Sequence, residues 1–189
     1  MAKELEVEFK TLLSKSEYNK LATMYADKPS NLQINYYFDT PRFTLKASDI
    51  GLRVRKRDTY ELTLKRKKGY ALIEINETLT EEEFQNFLQT GIIPCASICN
   101  DLAEIIKGQN VVNYMSLSTY RITFPYKNGI IALDKCEYVN KVDYELEFHG
   151  SVYEDAKRTF IELVKSNNIV YKKSQPKIKR AYDALKKNY

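Results

Sequence analysis

The sequence predicts an α+β domain built on an eight-stranded antiparallel β-barrel, a tunnel, with helices packed on its outer face. Three observations predict it. Eight segments alternate residue by residue between two kinds of side chain, the period of an extended strand whose neighbouring residues point to opposite faces. That alternation sorts charged residues of both signs onto one face and Leu, Ile, Val and Phe onto the other. Separate stretches carry helix-start signals and amphipathic spacing, and such helices need an apolar partner. If the helices cover the apolar face, the charged face must line the interior of a curled or closed sheet.

The elements follow in order. Residues 4–11 interleave Glu4, Glu6, Glu8 and Lys10 with Leu5, Val7 and Phe9 and read as the first strand. Ser14-x-x-Glu17 is a capping box, in which hydroxyl and carboxylate each satisfy an orphan backbone N–H; it opens a helix to about residue 25. Strands follow at 34–39, 51–57, 60–67 and 71–79, joined by short polar turns such as Lys68-Gly69. A second capping box, Thr80-x-x-Glu83, opens a helix to about residue 88, and 97–107 shows apolar residues at helical spacing. Strands at 118–125, 129–136 and 142–149 complete the eight, the first two joined at Lys127-Asn128-Gly129. A helix at 152–167 and another after Pro176 close the chain.

With 189 residues, 43% hydrophobic content and no linker or internal repeat, residues 1–189 are expected to form a single domain. The net charge of +5 is modest for a nucleic-acid binder, although 30 Lys and Arg supply ample cations for one concentrated anion site. Tyrosines alternate with apolar positions instead of interleaving with basic ones, which argues against nucleic acid. Tyr36, Tyr37 and Tyr126 are expected to pack, and His149 to lie at a strand end on the surface. Cys95, Cys99 and Cys136, with a single histidine in the chain, make a poor zinc signature and read as buried free thiols. No apolar leader and no run of eighteen apolar residues occurs, so a cytoplasmic protein without a membrane partner is expected.

The charged face carries the chemistry. Glu6 with Glu8, Asp134, and Glu145 with Glu147 occupy same-face positions on three strands. Side chains two apart on a strand lie about 6.5–7 Å apart, where two carboxylates repel by about 2 kcal/mol at an effective dielectric near 20. A divalent cation is the natural compensation if the face is enclosed. Arg53, Arg55 and Arg57 alternate on one strand, Lys65 and Lys67 on the next, Arg121 lies in STYRITF, and Lys177 and Arg180 share one side of the last helix. Guanidinium forks suit phosphate oxygens, and lysines act there as point charges.

In this order the motifs become recognisable. Glu6-Val7-Glu8-Phe9-Lys10 resembles the Glu-x-Glu-x-Lys signature of the CYTH superfamily, the triphosphate tunnel metalloenzymes, which include class IV adenylate cyclases and thiamine triphosphatases. Tyr37-Phe38-Asp39-Thr40, Leu52-Arg53-Val54-Arg55, Leu62-Thr63-Leu64-Lys65, Arg121, Asp134, Glu145-Leu146-Glu147, and Lys177 with Arg180 in KIKRAY continue the resemblance along the chain. One motif departs from it: where relatives often show Arg-x-Glu-x-Glu, this chain has Leu72-Ile73-Glu74-Ile75-Asn76, so Glu74 is kept and the arginine is missing.

The resemblance implies a metal-dependent triphosphatase acting on inorganic triphosphate or a related organic triphosphate, with Mg²⁺ or Mn²⁺ as cofactor. It implies Glu6, Glu8, Asp134, Glu145 and Glu147 as metal ligands. Lys10, Arg53, Arg55, Lys65, Lys67, Arg121, Lys177 and Arg180 would bind the phosphates. Lys65 and Glu8 are the candidate catalytic residues, the first neutralising charge on the transferred group and the second holding a bridging or water-bearing ion. A class IV-type adenylate cyclase and a non-catalytic polyphosphate-binding module are the alternatives. The partner is a small-molecule triphosphate and the chain a monomer or homodimer.

Overall fold

The computed structural model describes residues 7–68 and 71–187. Eight strands and six helices follow one another as β1 (Val7–Leu13), α1 (Lys15–Met24), β2 (Ser30–Asp39), α2 (Thr44–Ala47), β3 (Ile50–Lys56), β4 (Tyr60–Lys68), β5 (Ala71–Leu79), α3 (Glu81–Thr90), α4 (Ala96–Ile106), β6 (Val112–Tyr126), β7 (Gly129–Tyr138), β8 (Lys141–Gly150), α5 (Tyr153–Ser166) and α6 (Lys177–Lys186). The strands form one sheet in the order β1-β8-β7-β6-β2-β3-β4-β5, antiparallel in every pair with a described register. All eight expected strands are present, and β6 begins six residues earlier than its alternation suggests. The single turn of α2 carries no sequence signal, because four residues are too few to display a period.

Both capping boxes form as read: Ser14 and Thr80 each accept from the backbone of the glutamate three residues on, and that glutamate accepts from the cap N–H. The chain groups into two compact units, Met1–Leu32 with Ser118–Tyr189, and Gln33–Leu117. In the second unit, Leu52, Val54, Leu62 and Leu64 from the apolar face of β3 and β4 pack against Phe84 and Phe87 of α3 and Ile98 and Leu102 of α4. Phe38 stacks on Phe87 with ring centroids 4.2 Å apart, and Tyr36 lies against Phe84 as expected of a packing tyrosine. In the first unit, Ile131, Leu133, Leu146 and Phe148 play the same part against Leu21 of α1 and Phe160 and Leu163 of α5. Within each unit helices thus cover the apolar face, and burial of those side chains supplies the main stabilisation.

Two tight hairpins set the register of the first unit. Tyr126 pairs with Gly129 and Tyr138 with Lys141, leaving two-residue loops. Val139 and Asn140 both adopt left-handed backbone, φ 46° and 59°, the conformation of a type I′ turn, which matches the twist of the strands it joins. Gly129 can be nothing larger, because a Cβ there would lie 2.2 Å from the His149 carbonyl oxygen. None of the described helices is long and apolar enough to cross a membrane.

Candidate metal and phosphate site

Register converts the alternation into a site. The β6–β7 hairpin sets Arg121 opposite Asp134, and the β7–β8 hairpin sets Asp134 opposite Glu145. One row across three strands therefore reads Arg121, Asp134, Glu145. In the next row Lys10 of β1 faces Glu147. Because side chains alternate, Asp143, Glu145, Glu147 and His149 share this face of β8 while Tyr144, Leu146 and Phe148 take the other.

Asp134, Glu145 and Glu147 are all buried and present carboxylate oxygens within 4.8 Å of one another. Three cations converge on them. Arg121 makes a two-pronged contact with Asp134, Nε to Oδ1 at 2.7 Å and Nη2 to Oδ2 at 2.6 Å, and also reaches Glu147 at 2.6 Å. The Lys177 ammonium, at the start of α6, lies 2.9 Å from Asp134 Oδ2 and 2.6 Å from Glu145 Oε2 and donates to Glu147 as well. Arg180, one turn on, holds Glu145 at 3.0 Å and Asp143 at 3.0 Å. Three carboxylates against three cations leave this core nearly neutral.

Burial alone would raise the carboxyl pKa values. At Glu145 it is outweighed by Lys177 and Arg180, and at Glu147 by the hydrogen bond to His149 and by Lys177 and Arg121, so both are held below the usual carboxylate range. Burial likewise disfavours the charge on Lys177, but Asp134, Glu147 and Glu145 keep it protonated well above the ordinary lysine value. Burial pushes the neighbouring Cys136 thiol up to about 12.

Of the other predicted residues in this unit, Glu8 pairs with Lys10 at 2.6 Å, and its carboxylate is more than a third exposed. Glu6 lies outside the described residues. Reading the alternation one step further would have added Asp143; Ser174, whose hydroxyl donates to Glu145, sits in a loop with no periodic signal. His149 is the one correction to the surface assignments: its ring is largely buried, with Nε2 3.3 Å from Glu147 Oε2. It lies on the charged face of β8, two residues from Glu147, so alternation carries it inward.

The second unit carries a cationic face. Arg53 stands opposite Tyr37 and Thr63, and Arg55 opposite Asn35 and Glu61. Asn35 Oδ1 accepts from Arg55 Nε at 2.9 Å and fixes the guanidinium. Burial, with Arg53 and Arg57 adding like charge, lowers the Arg55 pKa to about 10. Arg53 Nε and Thr63 Oγ1 are buried without hydrogen-bond partners among the described residues, so this face holds donors that an anion would satisfy. Lys65 pairs with Glu74 at 2.8 Å, which places the one acid kept from the middle-strand motif beside a predicted catalytic lysine. Lys67 occupies a register position in β4 opposite Leu72. Cys95, Cys99 and Cys136 are free thiols, Cys99 only partly buried.

The donor set suits a hard divalent cation: clustered carboxylate oxygens, buried, with no sulfur ligand among them. Residues 4–182 match the model of the CYTH domain. A Bacillus subtilis protein named "Putative triphosphatase YjbK" is 31% identical over 192 residues, covering 100% of each chain. The crystal structure of a "putative adenylate cyclase" from Bacillus halodurans is 33% identical with a TM-score of 0.76, covering 95% of this chain and 98% of that one. A protein from Hippeastrum, described as a "putative adenylyl cyclase" with a dominant triphosphatase activity, superposes with a TM-score of 0.74 at 21% identity over 97% of this chain and 96% of that one, a likeness of fold. With its family model matched over nearly the whole length and a full-length relative above 30% identity, the chain belongs to the CYTH domain family.

Proposed function

We propose that the chain is a divalent-metal-dependent triphosphatase that hydrolyses inorganic triphosphate or a related organic triphosphate. The observation that carries this reading is the buried group of Asp134, Glu145 and Glu147. A pure anion binder gains nothing from such a group, since carboxylates oppose a phosphate ligand unless a cation intervenes. The full-length relative named as a triphosphatase supports the same reading.

In this proposal Asp134, Glu145 and Glu147, with Glu6 and Glu8, hold Mg²⁺ or Mn²⁺. When bound, the ion supplies charge neutralisation on phosphate oxygens and a lowered pKa for a neighbouring water. The rest falls to the side chains. Arg53 and Arg55 present guanidinium donors to phosphate oxygens, with Asn35 keeping Arg55 aimed. Lys65, oriented by Glu74, neutralises charge that builds on the transferred group. Lys10, Lys67, Arg121, Lys177 and Arg180 supply further positive charge. No covalent nucleophile is invoked, because phosphoryl transfer rests on positioning and charge stabilisation.

The test is a phosphate-release screen over tripolyphosphate, thiamine triphosphate and nucleoside triphosphates, each with Mg²⁺, Mn²⁺ and Ca²⁺. Metal-dependent orthophosphate release from tripolyphosphate is expected. Calcium should inhibit, since its larger, looser coordination misplaces the reacting groups. A second reading, cyclase chemistry, is favoured by the name of the Bacillus halodurans relative. Chromatography of an ATP incubation decides between them: cyclic AMP with pyrophosphate would replace the triphosphatase reading, and tight polyphosphate binding without turnover would replace both.

A further inference from the structure

Three residues predicted to grip phosphate are instead found on the carboxylates that would hold the metal. Arg121 and Arg180 each approach the cluster from one side, Arg121 through Asp134 and Glu147 and Arg180 through Glu145 and Asp143. Lys177 differs. Its single ammonium touches all three carboxylates at once, Asp134 at 2.9 Å, Glu145 at 2.6 Å and Glu147 by a short contact. The facing oxygens of those carboxylates are within 4.8 Å of one another, so an ion held by all three would take the place the ammonium occupies.

We infer that the Lys177 ammonium is a tethered counter-ion of the Asp134–Glu145–Glu147 cluster, and that a divalent cation enters this site only by expelling it. The inference rests on the metal-site reading above and adds to it the residue that competes with the metal. Two features make the exchange mechanically simple. Lys177 is the first residue of α6, and its flexible four-carbon stem can swing without moving the helix. Arg180, one turn later, stays anchored to Asp143, Glu145 and the Gln175 carbonyl, so the helix keeps its place while the lysine leaves. An expelled ammonium is then free to meet an incoming phosphate, which reconciles its observed partners with its predicted role. Metal and triphosphate should therefore bind with positive coupling, because phosphate gives the displaced charge a new partner.

The experiment is isothermal titration of Mn²⁺ into the full chain and into Lys177→Met, which keeps the stem and removes the charge, without phosphate present. The variant is expected to bind Mn²⁺ about tenfold more tightly than the natural chain, about 1.4 kcal/mol at 25 °C. Equal or weaker binding by the variant, with both proteins binding the ion, overturns the displacement and leaves the metal site standing. Binding by neither overturns both. A second measurement uses the natural chain alone, so that it stands even where the variant fails to fold: acetylation of lysines by a water-soluble succinimidyl ester, read by peptide mass spectrometry. Labelling at Lys177 should rise several-fold when saturating Mn²⁺ is added while Lys179 stays unchanged; constant labelling at Lys177 under saturating Mn²⁺ overturns the inference.

Discussion

Replacing Glu147 with glutamine removes one charge from the centre of the site while keeping the shape of the side chain. Two opposing consequences can be weighed. The carboxylate loses attraction to Arg121 and Lys177, with charge centres about 4 Å apart and each attraction worth about 4 kcal/mol at an effective dielectric near 20. It also loses repulsion from Asp134 and Glu145, whose oxygens lie within 4.8 Å, about 3.5 kcal/mol each on the same scale. The two nearly cancel, and Arg121 keeps its two-pronged contact with Asp134. Glu147→Gln should therefore fold normally, with stability changed by only about 1 kcal/mol. Metal affinity has no such cancellation, because a dication attracts every carboxylate and the amide oxygen is a far weaker ligand. Phosphate release from tripolyphosphate at saturating Mg²⁺ should fall by roughly a hundredfold or more, with a thermal midpoint within a few degrees of the natural chain. Activity within tenfold of the natural chain would refute the assignment of Glu147. A collapse in stability would refute the charge balance.

Two further outcomes follow from local structure. Glu17 accepts from the Ser14 N–H at 2.6 Å and the Val170 N–H at 3.1 Å; these bonds, the Ser14 hydroxyl and Lys172 overcome the effect of burial and lower its pKa from 4.5 to about 2. A carboxyl whose pKa is lower folded than unfolded contributes stability above the unfolded value and loses it as pH falls through the folded one. Urea midpoints of the natural chain minus those of Glu17→Gln should thus shrink between about pH 4.5 and 2, and a gap independent of pH over that range would count against the bond set. Val139, at φ 46° in the β7–β8 turn, is a β-branched residue in backbone that costs about 1–2 kcal/mol. Val139→Asn, suited to that conformation, should raise unfolding stability by about 1 kcal/mol, and a lowered urea midpoint would show that the Val139 side chain contributes more than its backbone costs.

How much of this was legible beforehand depends on whether the signal was local. Period-two alternation marked all eight strands and separated Glu145 and Glu147 from Leu146 and Phe148, because pleating alone decides which face a residue takes. The capping boxes at Ser14 and Thr80 were readable for the same reason: donor and acceptor are three residues apart. Asp143 and His149 belonged to the alternation and could have been read from it. Ser174 could not, since its bond to Glu145 spans 29 residues and starts in a loop. The motifs in the chain single out the cations without saying where they go: Arg121, Lys177 and Arg180 are on carboxylates, whereas Arg53 retains a donor with no partner among the described residues.

By itself, then, the sequence determined the strands, the two faces of each strand, the covered apolar side and the set of charged residues proposed to meet metal or phosphate. Only the tertiary structure decided which of them meet. The order β1-β8-β7-β6 and the two-residue hairpins put Arg121, Asp134 and Glu145 in one row, and the return of α6 brings Lys177 onto all three acids. Pairing between strands and the docking of a distant helix depend on contacts far apart in the chain, and no short-range pattern encodes which cation reaches a given carboxylate.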